Sequence, residues 1–126
     1  MQRKFTHMIH IPGALSANMD VRWIVPSGCS LVHVSAVSSN DSDALITIGD
    51  GSDVDEYLTS SVLGDSQVPA EYDGDDFVDT SGNSHDRYYP HIEDGDTINI
   101  AVDYDGDGGT AAEDVTIVLT FVEGGV

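Results

Sequence analysis

Apolar and polar positions alternate along most of this chain with a period of two. Val115, Ile117, Leu119 and Phe121 interleave with Thr116, Val118, Thr120 and Val122, a β-branched pattern that predicts a strand. Ile98, Ile100 and Val102 interleave with Thr97, Asn99, Ala101 and Asp103, which predicts a second strand with one apolar and one wet face. Weaker alternation predicts strands at residues 5–11, 19–25, 30–38, 44–48, 55–62 and 87–92. Pro12-Gly13, Pro26-Ser27-Gly28, residues 38–43 and 49–53, and Glu93-Asp94-Gly95 separate them; their side chains favour turns over ladders. No segment carries a capped helical stripe. About seven or eight short strands with turns at such intervals predict an all-β fold, an antiparallel β-sandwich with jelly-roll-like wiring. Residues 64–86 are acidic, contain Pro69 and offer few apolar anchors (Tyr72, Phe77, Val78), so they read as one long acidic loop.

The length of 126 residues fits one domain, residues 1–126, because two cores would each be marginal in size. No apolar run approaches the roughly 20 residues that span a bilayer, and the N-terminal stretch, interrupted by His7, His10 and Pro12, does not read as a signal peptide. Charge changes the picture most. The chain carries 23 acidic and 4 basic residues, a net charge of −19, with Lys4 its single lysine. That balance argues against nucleic acid and anionic membranes as partners, since both are held by Lys and Arg clusters. It also sets the chain against itself at low ionic strength. Salt relieves this, shortening the Debye length from about 10 Å at 0.1 M to about 3 Å at 1 M. Asp-rich, Lys-poor surfaces of this kind resemble those of haloarchaeal proteins; an acidic marine or extracellular protein is the other reading. Cys29 is alone, so no disulfide within the chain staples the fold, and a small buried strand residue is expected there.

The densest chemical pattern is Asp103-Tyr104-Asp105-Gly106-Asp107-Gly108, followed by Glu113 and Asp114. Read against a calcium loop, Asp103, Asp105 and Asp107 take the first, third and fifth positions, Gly108 the sharp turn, and Asp114 the twelfth. Calcium or magnesium is the candidate ligand. The flanks are strands rather than helices, and Asp at the twelfth position reaches less far than Glu, so an acidic hairpin without metal is the competing reading. Ser84-His85-Asp86 contains triad residue types, but consecutive residues cannot form the linear relay. His7 and His10 are three apart and would face opposite ways on a strand, while His33 and His91 have no nearby ligand-type partners in sequence. Nothing marks an enzyme. Tyr57, Trp23, Tyr104 and Phe121 read as core anchors. Tyr88-Tyr89 places adjacent rings on opposite faces, one of them suited to an interface. Arg3 and Lys4, half of the cationic side chains, read either as a frayed terminus or as a basic arm, residues 1–4, that docks on an acidic neighbouring subunit.

The order Trp23-Ile24-Val25-Pro26-Ser27-Gly28, a strand, Ile48-Gly49-Asp50-Gly51, then Gly95-Asp96-Thr97-Ile98 leading into Val115 to Phe121 resembles that of small β-sandwich virion proteins of tailed viruses, including capsid decoration, turret and spike proteins. With the salt reading, the resemblance implies a tailed virus of haloarchaea. It further implies a non-enzymatic structural protein of the virion that forms homo-oligomers, trimers above all, and docks on other virion proteins such as the major capsid protein. The alternative is a tail, fibre or cellular module that recognises a glycan or receptor through the Asp103 to Asp114 loop and the Tyr88-Tyr89 region.

Overall fold

A computed structural model describes residues 3–78 and 88–124. Two antiparallel sheets face each other. Nine strands form them: β1 (Lys4–Ala14), β2 (Met19–Ile24), β3 (Cys29–Val37), β4 (Leu45–Gly49), β5 (Leu58–Val62), β6 (Ala70–Tyr72), β7 (His91–Ile92), β8 (Thr97–Asp103) and β9 (Glu113–Glu123). One sheet runs β1-β9-β3-β6, with β7 also on β3; the other runs β2-β8-β4-β5. The first three strands alternate between sheets and the last two do so again, which is jelly-roll-like wiring.

The alternation that predicts strands also fills the space between the sheets. Leu31, Val34, Ile117, Leu119 and Phe121 from the first sheet meet Ile46, Ile48, Ile98, Ile100 and Val102 from the second, all 0–1% exposed. Each such side chain contributes about 1.5–3 kcal/mol by leaving water. Along one open side, where edge strands β1 and β2 approach, aromatic rings close the gap. Phe121 lies 5.1 Å from Phe5 and 5.3 Å from Trp23, and Trp23 stacks on the His7 ring at 4.3 Å with only 7° between planes. Tyr57 is buried, and Trp23 and Tyr104 are half-buried against the core, as anchors should be.

Several boundaries differ from the sequence reading. The long loop expected at residues 64–86 is broken by structure: Gly64 bridges to Val37 and β6 pairs with β3. Three residues are too few to show a period, so the pattern hides β6. The strand expected at 87–92 shrinks to His91–Ile92, because Tyr88 and Tyr89 lead into Pro90, and the strand expected at 55–62 starts only at Leu58. β6 and β7 take opposite ends of β3, so an eighth strand becomes two short ones. Residues 79–86 of that loop, the Ser84-His85-Asp86 triplet and Arg87 lie outside the described residues. At the N-terminus, Lys4 opens β1 opposite Val122, and the Arg3 carbonyl accepts the Glu123 N–H at 2.7 Å. Lys4 belongs to the sheet and Arg3, just outside β1, is tied to it, so neither is part of a free arm as expected over residues 1–4; Met1 and Gln2 lie outside the described residues.

Candidate functional site

Among the described residues, carboxylates on strands are confined to Asp20, Glu71, Asp103, Glu113, Asp114 and Glu123, three of them terminal residues of their strand. The others sit in turns at the two ends of the sandwich. The outer face of the β1-β9-β3 sheet therefore escapes the acid. Across it run three rows set by register: Thr6, Thr120 and His33; Met8, Val118 and Ser35; His10, Thr116 and Val37. Met8 is 64% exposed. Glu71 reaches the face from β6 and is held by His33, Nε2 to Oε1 3.5 Å. β9 is apolar or β-branched on both sides. That signal is present in the sequence, where Val118 and Val122 occupy the outward positions.

A hollow of about 540 Å³ opens at one corner of this face. β3 carries one residue too many between Leu31 and His33, and this bulge turns Val32 outward beside His33. Val32, Thr120 and Val122 line it together with Lys4, His33, Tyr89 and Asp73. The structure thus brings Lys4 and Tyr89, two of the predicted interface residues, to one site. Arg3 is exposed next to Lys4, and among the described residues neither is ion-paired. Tyr88 is half-buried, and its N–H donates to the Gly74 carbonyl at 2.8 Å. At the opposite end of the face a second hollow, about 400 Å³, is lined by residues including His10, Gln67, Asp114 and Thr116. There His10 Nδ1 and Thr116 Oγ1 share a hydrogen bond of 2.8 Å.

The candidate metal loop is otherwise engaged. Asp103 Oδ1 accepts from the Gly106 N–H at 3.2 Å and Asp105 Oδ1 from the Asp107 N–H at 3.1 Å, the turn-forming habit of aspartate. Asp107 itself takes a positive φ of 74°, which Asp tolerates. Asp114 turns away: its carboxylate accepts from the Gly13 N–H at 2.7 Å and the Ser39 hydroxyl at 3.0 Å. The Gly13 N–H first, then Ser39, hold its pKa below the usual carboxylate value. Among the described residues no three His, Cys, Asp or Glu side chains gather into a group that could hold a metal ion. The loop instead clasps its neighbour. Asp43 Oδ2 accepts the Thr110 N–H at 2.7 Å, and Asn40 bonds both the Ala111 carbonyl and the Glu113 N–H at 2.9 Å.

The turn between β4 and β5 is different. Asp50 Oδ1 caps the N–H groups of Asp53 and Ser52 at 2.7 and 2.8 Å, and these bonds lower its pKa. Asp53 Oδ1 accepts the Asp55 N–H at 3.4 Å, and the neighbouring Asp53 carboxyl pushes Asp55 and Glu56 up while its own pKa is lowered. Val54, between them, is 57% exposed. Sequence analysis passes over this turn because it matches no ligand motif.

The remaining candidates are structural. His7 is half-buried on Trp23 with its pKa lowered by desolvation, and His91 meets Glu93 at 3.4 Å. Cys29 is buried, which pushes its thiol up to about 11. No helix among the described residues is long and apolar enough to cross a membrane. No family model matches the chain, and neither a curated protein nor a solved structure matches it.

Proposed function

We propose that this chain is a non-enzymatic building block of a virion, a decoration or turret component of a tailed virus of haloarchaea that clads the head in concentrated salt. The observation that carries the assembly reading is the segregation of charge: a chain of −19 keeps the outer β1-β9-β3 face nearly free of carboxylate while its turns are crowded with it. A second chain meets this one with least repulsion on that face. Apolar and β-branched side chains there, Met8 and Val118 at the centre, supply contact area without catalysis, and a stable interface needs about 800 Å² from each partner. Molar salt mutes the acidic ends, so the same composition that resists association in dilute buffer permits it in brine. The virion assignment itself rests on the resemblance in strand order and turn placement.

Two measurements test this reading. Sedimentation in about 1 M NaCl returns an oligomer, and Met8→Asp or Val118→Asp returns a monomer with its melting temperature unchanged. Mass spectrometry of purified particles finds the chain at many copies on heads. A monomer at every concentration, or a chain confined to a few tail copies, contradicts it.

A further inference from the structure

We propose that the hollow beside Lys4 receives the Asp53-Val54-Asp55 turn of a second copy of this chain. The inference rests on the assembly reading above and specifies its contact. The two surfaces match in kind. The hollow is lined by the apolar Val32 and Val122 and by the ammonium-bearing Lys4; His33, also in its lining, already holds Glu71. The turn presents the reverse, an exposed apolar knob, Val54, flanked by Asp53 and Asp55.

Each side also lacks what the other supplies. Lys4 has no ion-pair partner among the described residues, although the chain holds 23 acidic residues. Asp53, Asp55 and Glu56 fall within four consecutive residues and have no cation paired with them among the described residues, and a neighbour's ammonium relieves their mutual repulsion. Asp73, which also lines the hollow, opposes an incoming carboxylate; its Oδ1 accepts the Asp75 N–H at 3.1 Å. Because His33 already holds Glu71, Lys4 is the seat for acid. The hollow belongs to one sheet and the turn joins two strands of the other, so the contact is heterologous, and repeated around an axis it closes a ring.

A charge swap tests the contact by sedimentation in about 1 M NaCl, with melting temperature as the control for folding. Lys4→Glu weakens association at least tenfold. Asp55→Lys does the same, although it lowers net negative charge and bulk repulsion alone would make it associate more tightly. The double variant, with the parent's net charge, regains the parent's association. Val54→Ser weakens association without a charge change. An oligomer indifferent to both single charge variants, an Asp55→Lys chain that associates more tightly, or a double variant no better than the singles overturns this contact while leaving the assembly reading standing. A parent chain that never associates overturns the assembly reading instead.

Discussion

Two acidic turns of nearly the same composition do opposite things in this molecule. In the β8–β9 turn, Asp103 and Asp105 bond the turn's own backbone, and Asp43, Asn40 and Asn18 reach in from other loops to fix it. In the β4–β5 turn, Asp50 does this work, but Asp53, Asp55 and Glu56 follow one another around an exposed valine, where the Asp53 carboxylate takes only a long bond from the Asp55 N–H, 3.4 Å, and among the described residues no other loop reaches in. Aspartate whose lone pairs meet N–H groups is a structural residue; aspartate that meets other carboxylates is a surface awaiting a counter-charge. Asp content does not separate the two cases, since both turns are rich in Asp. The direction of each side chain does.

The largest expected difference between the turns lies between Gly106 and Gly51. Gly106 has φ +64°, and a Cβ there would stand 2.1 Å from the Asp43 carbonyl oxygen; Gly106→Ala should cost about 2 kcal/mol or more in urea unfolding. Gly51 meets nothing within 4 Å, and Gly51→Ala should stay within about 0.5 kcal/mol. Equal costs would mean that the first turn is not clasped.

Acid titration should separate them next. The folded-state pKa of Asp114 is depressed, so its stabilising effect is present above the ordinary carboxylate value of 3.8 and lost as pH falls through the folded value. Asp55 and Glu56 are raised; they destabilise the fold at neutral pH, and that burden lifts as pH falls through their folded values towards 3.8 and 4.5. At pH 7, then, Asp114→Asn should lower the melting temperature while Asp55→Asn and Glu56→Gln raise it, as differential scanning calorimetry would report. Shifts of one sign for all three would remove the contrast.

A smaller effect concerns salt. Because crowding in the β4–β5 turn is repulsive and screened by ions, Asp55→Asn should reduce the rise in melting temperature between low and molar NaCl. Asp105→Asn should reduce it less, its carboxylate being already bonded to the Asp107 N–H.

The strands were legible because side chains alternate at a fixed period, and β1, β3, β8 and β9 are long enough to show it. β6 and β7 are not, with three and two residues. Their strand character comes from the β3 edge they lie against, which no local pattern records. Among candidate residues, spacing suggested a calcium loop because Asp103, Asp105, Asp107 and Asp114 fall at the right intervals. Intervals carry no information about direction, and Asp114, at φ 49° near the start of β9, sends its carboxylate to Gly13 and Ser39. The hollow was illegible for another reason: it joins Lys4, Val32, Tyr89 and Val122 through long-range pairings, Lys4 with Val122 and His33 with Thr120, and through a bulge. Lys4 and Tyr89 could be suspected one at a time, but their meeting could not.

The central claim is that the acid-poor outer sheet face is where this chain meets others, and Met8, exposed on edge strand β1 in the middle of its three rows, reports on it directly. Its oxidation by peroxide, followed by peptide mass spectrometry in about 1 M NaCl, should slow as protein concentration rises, while half-buried Met19 on the inner side of β2 keeps a constant rate. Slowing confined to Met8 is the result the account predicts. A Met8 rate that is the same at every concentration, in a sample shown to be associated, would contradict it.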